Sequence, residues 1–391
     1  MRPRDGRRIR VMIVDDSLTV RTIFKRMVDG DPDMMVCGTA SSGERAIAQL
    51  HHDRPDVLLL DLEMPGMGGL AALPHILERA PDAQVLVVSS LTQDGAESTV
   101  AALSTGAADT MLKPRPGKFD DSYRVQLLDK IRAIGTVEQD KPATGSDHAP
   151  STETGADESI QDGHWKAAGF IAERPEIIAI GASTGGIHAI NILLKSLKPD
   201  FRVPIVITQH LPPSFIPVFA RQIEMASGRP TQIADEGIPI ERDRVYIAPG
   251  HGHMMVRRSG ERLMTATSSR PSRSGCTPSV DPMLASIADT CGSRALAIVL
   301  SGMGRDGLEG ASKLHEAGAR IWVQDAETSA VWGMPGAVSN AGLTSFVGSP
   351  EALANALNTR IAKQARREQL LRDTTASAPT PSSASVSVDR V

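Results

Sequence analysis

Cysteine is scarce in this 391-residue chain, which has only three. Cys37, Cys276 and Cys291 are widely spaced and odd in number, so they form neither a paired metal-binding motif nor a disulfide framework, and a reducing cytoplasm is favoured. A basic charge is lacking too, because 42 Lys and Arg residues face 46 Asp and Glu residues. Nucleic-acid binding is therefore disfavoured, since it usually relies on a basic field.

Long apolar runs are also missing. No segment reaches the ~20 consecutive apolar residues that cross a bilayer. The basic residues 1–10 lead into the short apolar stretch Val11–Val14 and then two aspartates, which is unlike a signal peptide. We therefore expect no membrane insertion. What the chain does have is length and 41% hydrophobic residues, enough for more than one domain core.

Short apolar runs alternate with segments of helical period in two regions, a pattern that predicts α/β domains with doubly wound parallel sheets. Five strands in the first region indicate a flavodoxin-like layout. The strands predicted there are Arg10–Val14, Met34–Cys37, Val57–Leu60, Val85–Ser89 and Thr110–Leu112. Those predicted in the second region are Ile177–Ile180, Pro204–Thr208, Arg244–Ile247, Ala295–Leu300 and Arg320–Val323.

Composition sets the expected domain limits. The first domain takes residues 1–135, and residues 136–168 lose apolar periodicity and predict a flexible linker. The second domain takes residues 169–372, closed by a helix over Glu351–Leu371. The low-complexity residues 373–391 predict a disordered tail.

Polar side chains follow four of the first five strands. Asp15 and Asp16 follow the first strand, Asp61 the third and Lys113 the fifth, while Ser89 ends the fourth. The carboxyl ends of parallel strands face one crevice, so these side chains are expected to meet. Three carboxylates predict a site for Mg²⁺, and a lysine and a hydroxyl nearby suit phosphoryl transfer onto Asp61.

Three motifs resemble the two-component receiver family: Val14–Ser17, Asp61–Pro65 and Leu112–Pro114. The resemblance implies a sensor histidine kinase as phosphodonor. It implies these roles: Asp61 is phosphorylated; Asp15, Asp16, Asp61 and the main-chain carbonyl of Glu63 hold Mg²⁺; Ser89 and Lys113 bind the phosphoryl group. The chain departs from the family at Thr110, where receivers often have an aromatic switch residue.

A glycine-rich loop, Gly181–Gly186, follows the first strand of the second region and precedes a helical segment. The loop places Ser183 on a strand-to-helix turn, near the positive end of a helix that would stabilise an oxyanion. The loop alone favours a nucleophile, and it leaves open a phosphate cradle or a tight turn with an incidental serine. A nucleophile needs a base and an orienting acid, and His210 and Asp306 follow neighbouring predicted strands.

Other polar residues were weighed as alternatives. The Gly181–Gly185 pattern also matches the nucleophile elbow of α/β-hydrolases, but that family requires a histidine after the acid, and His315 is more plausibly a surface residue. His251 and His253 have no third metal-ligand motif beside them, so we expect a structural role. Asp281 is a rival triad acid, for which we expect a helix-capping role instead.

The second region resembles the catalytic domain of chemotaxis protein-glutamate methylesterases, the CheB family. The resemblance rests on Gly181–Gly186, Thr208–Pro213, Pro278–Asp281, Leu300–Gly307 and Gly333–Pro335. It implies a cofactor-independent serine hydrolase. Its roles would be: Ser183, His210 and Asp306 as the catalytic triad, with Thr184 and Met303 lining the site and offering backbone N–H groups to the oxyanion.

The resemblance also implies the substrate and the regulation. Glutamate methyl esters on methyl-accepting chemoreceptors would be hydrolysed to release methanol, receptor glutamines would be deamidated, and a phosphoryl group on the receiver would relieve inhibition. Two alternatives stay open at this point. One is a non-catalytic signalling adaptor, and the other is a general esterase for small molecules.

Overall fold

The computed structural model describes residues 7–89, 92–114, 119–135 and 175–359, in which two parallel sheets are each covered by helices. This confirms the predicted fold class. The predicted linker and tail lie outside the described residues, as do residues 360–371 of the predicted last helix. Among the described helices, none is long and apolar enough to cross a membrane.

The first domain has a five-stranded parallel sheet in the order β2-β1-β3-β4-β5. Its strands are β1 (Ile9–Val14), β2 (Met34–Ala40), β3 (Val57–Asp61), β4 (Gln84–Ser89) and β5 (Asp109–Leu112). Its helices are α1 (Leu18–Asp29), α2 (Gly43–Asp53), α3 (Gly68–Arg79), α4 (Gln93–Thr105) and α5 (Asp121–Gly135). Ser17 starts α1 by accepting a hydrogen bond from the Val20 N–H, so the helix begins directly after the acidic pair.

The second domain has a seven-stranded sheet in the order β14-β13-β12-β6-β7-β9-β8, and every pairing in it is parallel. Its strands are β6 (Ile177–Ala182), β7 (Ile205–Gln209), β8 (Thr231–Ile233), β9 (Val245–Ile247), β12 (Ala295–Val299), β13 (Arg320–Gln324) and β14 (Phe346–Gly348). Its helices are α6 (Gly186–Lys195), α7 (Ile216–Ser227), α8 (Val280–Cys291), α9 (Leu308–Glu316) and α10 (Met334–Asn340), and residues 350–359 are also helical.

A separate antiparallel hairpin, β10 (His253–Ser259) and β11 (Arg262–Ser268), was not predicted, nor were β8 and β14. The last two are three-residue strands at the two edges of the sheet and are only partly buried, so they lack the continuous apolar signal of the equally short β9. The hairpin packs on α8. Its position fixes the chain that leads from β11 into α8, and that chain borders the site described below.

Every residue of β6 and β12 is buried, because both strands lie in the interior of the sheet with helices on either face. The apolar core also continues between the two domains. Leu103 and Ala107 of the first domain belong to the same buried cluster as Ile187 and Ile190 on α6. Helix α4 packs against α6 and α7, so one face of the first domain covers the start of α6.

Candidate active site

Ser183 lies between β6 and α6, at the carboxyl edge of the sheet where the sequence placed it. Its N–H donates to the Ser301 carbonyl at 3.0 Å, which ties the turn to the strand end of β12. Gly185 has φ +77°, a conformation that favours glycine. Gly302 approaches so closely that a Cβ there would lie 2.9 Å from the Ser183 Cβ. Both glycines are therefore required for this serine position.

The serine, histidine and aspartate form one hydrogen-bonded chain. His210 Nδ1 lies 3.1 Å from Ser183 Oγ, and His210 Nε2 lies 2.7 Å from Asp306 Oδ2. The serine faces the Nδ1 side of the ring and the carboxylate faces the Nε2 side. Since Asp306 accepts a hydrogen bond from the Nε2–H group, the neutral ring has its lone pair on Nδ1, directed at the serine hydroxyl.

Asp306 is only 3% exposed and is held by donors from the loop before α8. Ser279 Oγ and the Val280 N–H donate to it at 2.7 Å each, and the Gly307 N–H donates at 3.1 Å. Burial alone would raise the pKa of Asp306, but His210 and these donors hold it well below its usual range. The residue is therefore a fixed anion that orients the histidine.

Burial disfavours a charged His210, yet the hydrogen bonds to Asp306 and to Cys276 raise the pKa of His210 to about 9. These neighbours therefore make the neutral form of His210 a stronger base than a free imidazole. The Cys276 thiol was not singled out as a site residue by its sequence context. In turn, its contact with His210 lowers the pKa of Cys276 against an opposing effect of burial.

The two residues expected to line the site flank the serine differently. Thr184 is 6% exposed, whereas the Met303 side chain is 43% exposed. Within the described part of the chain, the backbone N–H groups of Thr184 and Met303 meet no hydrogen-bond acceptor. Two free donors beside a nucleophile are what an oxyanion site requires.

Two residues weighed as alternatives have structural contacts. His253 is buried; its Nδ1 accepts from the Ser279 N–H at 2.9 Å, and its Nε2 lies 2.9 Å from the Arg270 carbonyl. It therefore supports the loop that holds Asp306. Asp281 accepts from the Gly310 N–H at 2.8 Å and so caps the first turn of α9, the neighbouring helix, rather than its own.

The acidic residues of the first domain also meet. Lys113 Nζ lies 2.8 Å from Asp15 Oδ2 and 2.6 Å from Asp61 Oδ2. Burial and the neighbouring Asp15 raise the pKa of Asp61, and Lys113 opposes the rise. For Lys113, burial acts against the charge, but the hydrogen bonds to both carboxylates raise its pKa. The lysine offers a fixed positive charge beside the Asp61 carboxylate.

Carboxylate oxygens of Asp15, Asp16 and Asp61 lie within 4.8 Å of one another. Hard oxygen donors at this spacing fit Mg²⁺, whose charge would offset their repulsion. The Glu63 N–H donates to Asp61 at 3.1 Å, and the fully buried Ser89 accepts a 2.7 Å hydrogen bond from Thr99. These contacts place all five strand-end residues and Glu63 at one edge of the sheet.

Comparison with known proteins identifies the family. Residues 178–357 match the model of the CheB methylesterase family, and residues 11–121 match that of response regulator receiver domains. The chain is similar to a protein-glutamate methylesterase/protein-glutamine glutaminase of Bradyrhizobium diazoefficiens, with 36% identity over 88% of this chain and 92% of that one. The chain belongs to the CheB methylesterase family.

Further relatives match at similar levels. A protein-glutamate methylesterase/protein-glutamine glutaminase of Paramagnetospirillum magneticum is 39% identical over 87% of this chain and 92% of its own length. The crystal structure of the CheB methylesterase catalytic domain of Thermotoga maritima shares 30% identity and covers 48% of this chain and 99% of its own, with a TM-score of 0.46. The curated relatives thus span both domains of this CheB family member.

The receiver domain of this CheB chain contacts the catalytic turn itself. Thr184 Oγ1 donates to Asp109 at 2.6 Å, and the Gly185 N–H donates to the Ala108 carbonyl at 2.6 Å. Lys130 on α5 holds the same Asp109 carboxylate at 2.6 Å. The first residue of β5 therefore contacts Thr184, the residue that follows Ser183 in the chain.

A second set of interdomain contacts centres on Ser104, near the end of α4. His188 Nδ1 donates to its carbonyl at 2.9 Å, Asn191 donates to its hydroxyl at 2.8 Å, and Gln222 also bonds that hydroxyl. None of these contacts was foreseen, because a sequence pattern does not tell which faces of two domains meet.

Proposed function

We propose that the chain is a phosphorylation-activated hydrolase that demethylates glutamate methyl esters on methyl-accepting chemoreceptors and releases methanol. The proposal rests above all on the hydrogen-bonded chain from Ser183 through His210 to Asp306. The similar proteins of Bradyrhizobium and Paramagnetospirillum are named for glutamate methylesterase and glutaminase activity. Family and geometry agree on acyl transfer through a serine.

Hydrolysis proceeds in two halves. His210 Nδ1 takes the hydroxyl proton of Ser183 as Oγ attacks the ester carbonyl, and the resulting imidazolium is stabilised by Asp306. The tetrahedral intermediate collapses when the imidazolium gives its proton to the departing methoxy oxygen, so methanol leaves and an acyl-enzyme remains. Water then attacks the acyl group, His210 takes its proton, and protonated Ser183 is regenerated with a free glutamate.

The negative charge of the intermediate develops on the former carbonyl oxygen. Thr184 and Met303 are proposed to bind it through their backbone N–H groups, and one such donor is worth roughly 2.7–4 kcal/mol in other hydrolases. A glutamine side chain presents the same carbonyl with ammonia as the leaving group. Deamidation of receptor glutamines is therefore proposed as a second reaction of the same site.

The receiver domain is proposed to supply the control. Asp61 would accept the phosphoryl group from a sensor histidine kinase, with Lys113 and Ser89 binding its oxygens. Asp15, Asp16, Asp61 and the Glu63 carbonyl would hold Mg²⁺, which when bound neutralises phosphoryl charge. Burial raises the pKa of Asp61 and the neighbouring Lys113 opposes that rise, which favours the anion that a nucleophilic carboxylate must be.

Gating is proposed to act through the covered catalytic turn. Asp109 and Ala108 bind the turn at Thr184 and Gly185, so receptor side chains reach Ser183 only when this contact opens. Phosphorylation of Asp61 would favour the open state. If deletion of residues 1–163 leaves the second domain no more active than the unphosphorylated whole, inhibition by the receiver is wrong.

The experiment that tests the function measures methanol release from methylated chemoreceptor membranes, with and without a small phosphodonor. These receptor segments and the kinase would meet the protein in the cytoplasm. The wild type should release methanol faster with the phosphodonor. The Ser183→Ala variant should release no methanol and should no longer be labelled by a fluorophosphonate. Its Asp61 should still be phosphorylated. Persistent methanol release from Ser183→Ala would exclude this nucleophile.

A further inference from the structure

A thiol lies beside the catalytic histidine and has no part in the proposed hydrolysis. One ligand atom each from His210, Cys276 and Asp306 lies within 4.8 Å of the other two. Cys276 is half-buried in the loop before α8, and its thiol contacts His210 and also makes a long 3.8 Å contact to the Ser274 carbonyl. It is therefore free to turn toward a ligand.

The three side chains offer a nitrogen, a sulfur and an oxygen from one compact cluster. Imidazole, thiolate and carboxylate are the donors that Zn²⁺ takes in proteins, and three such ligands leave a fourth position for water. Mg²⁺ prefers an all-oxygen set, so the cluster differs in chemistry from the acidic site of the receiver. The acidic site of the receiver is expected to prefer hard ions, and the cluster around Cys276 is expected to prefer thiophilic ions.

We propose that His210, Cys276 and Asp306 form an inhibitory binding site for Zn²⁺. The ion binds His210 through Nε2, the nitrogen that now faces Asp306 at 2.7 Å, and takes the Cys276 sulfur and an Asp306 oxygen as further ligands. The imidazole ring of His210 and the loops that contain Cys276 and Asp306 need to move apart only enough to admit the ion between the three ligand atoms.

The inhibition follows from the tautomer of the histidine. When Nε2 binds the ion, the single proton of the neutral imidazole resides on Nδ1, the nitrogen 3.1 Å from Ser183 Oγ. Nδ1 then has no lone pair for the serine proton. The thiol releases its proton to solvent, and an imidazolium form of His210 releases one of its two protons as well, so that the ring keeps a single proton on Nδ1; Asp306 is already ionised, and no covalent bond within the protein breaks. The enzyme is inactive while the ion stays bound.

Binding is tested on the full chain with Co²⁺ as a spectroscopic probe and with Zn²⁺ by calorimetry. Co²⁺ bound to a thiolate has a strong near-ultraviolet charge-transfer absorption that carboxylate ligands do not give. We expect this band in the wild type, in Asp61→Asn and in Cys37→Ser, whose thiol lies on β2 of the other domain. Cys276→Ser and Cys276→Ala should both lose it. A band retained in both Cys276 variants, or absent from the wild type, would overturn the proposal.

Inhibition is tested separately, and this part rests on the proposed function of Ser183. Each variant is compared with its own metal-free rate, so a change in basal activity does not matter. Zn²⁺ should slow fluorophosphonate labelling of Ser183 and methanol release in the wild type, and Cys276→Ser should need at least ~10-fold more Zn²⁺ for the same effect. Binding without slower labelling would refute inhibition. If the wild type shows the charge-transfer band but releases no methanol, the proposed hydrolase function is refuted and the metal site is not.

Discussion

Asp109→Ala should raise the activity of the unphosphorylated enzyme. The Asp109 carboxylate accepts 2.6 Å bonds from Thr184 of the catalytic turn and from Lys130 of its own domain. Alanine removes the acceptor and leaves Lys130, which is 31% exposed and can be solvated, so no buried charge is stranded. The bonds from Lys130 and from the Thr110 N–H lie within the receiver and are lost in both states, whereas only the closed state loses the interdomain hydrogen bond from Thr184 to a charged group.

A hydrogen bond to a charged group contributes about 1.5–3 kcal/mol to stability. Since about 1.4 kcal/mol corresponds to a factor of ten, the equilibrium between closed and open states should move about 10- to 100-fold. Partial exposure of this ion pair favours the lower end. We expect roughly ten times more methanol release without a phosphodonor, limited by the rate of the fully phosphorylated wild type.

The assay is methanol release from methylated receptor membranes, with and without a phosphodonor. Asp129→Ala is the matched control, because it removes a carboxylate of the same domain, on α5, and breaks the i,i+3 pair with Arg132 rather than a contact with the second domain. Asp109→Asn keeps an acceptor for Thr184 and should lie between wild type and Asp109→Ala. A folded Asp109→Ala protein with the basal rate of the wild type would show that this contact does not hold the site closed.

Three other changes test the site and its control. The ratio kcat/KM should rise with pH toward a plateau above about 9, because His210 must be neutral to act as a base. Asp306→Asn should lower both the pH of the inflection and the plateau value of kcat/KM. A wild-type inflection below the ordinary histidine pKa of about 6.5 would contradict this. Gly302→Ala should slow fluorophosphonate labelling of Ser183 by about 10²-fold, since its Cβ would lie 2.9 Å from the Ser183 Cβ and would clash with Met334 Sδ; normal labelling would refute that reasoning. Thr99→Val removes the hydroxyl bonded to Ser89 and should leave Asp61 phosphorylation intact while reducing the activation it causes; an unchanged ratio of activated to basal rate would exclude Thr99 as a link.

The strand-end residues were predictable because a parallel sheet brings the carboxyl ends of its strands to one edge. Asp15, Asp61 and Lys113 meet there in one domain, and Ser183 and His210 meet in the other. Apolar runs marked the central strands within one or two residues, since buried strands have a continuous signal. The hairpin β10–β11 and the edge strands β8 and β14 gave no such signal and were missed, whereas the equally short but fully buried β9 was predicted.

Contacts that depend on loop conformation were beyond the sequence. Ser279 and the Val280 N–H can donate to Asp306 only because the chain from β11 to α8 follows a particular path. The hairpin and His253 hold that path in place. The same path brings Cys276 to His210. A cysteine far in sequence from any other ligand has no motif, so only the folded loop reveals it.

The link from Asp61 to Ser183 runs through elements that have a contact at each end. On helix α4, Thr99 donates a hydrogen bond to Ser89 in the receiver site. About one and a half turns later, Ser104 of the same helix accepts a hydrogen bond from Asn191 of the second domain. Strand β5 starts at Asp109, which binds Thr184, and Lys113 directly follows the strand beside Asp61. In the proposed mechanism, a phosphoryl group that draws Lys113 and Ser89 toward Asp61 would act on both elements at once. Their other contacts are with Thr184 and with the helices α6 and α7, so a shift of either element would bear directly on the contact that covers the Ser183 turn.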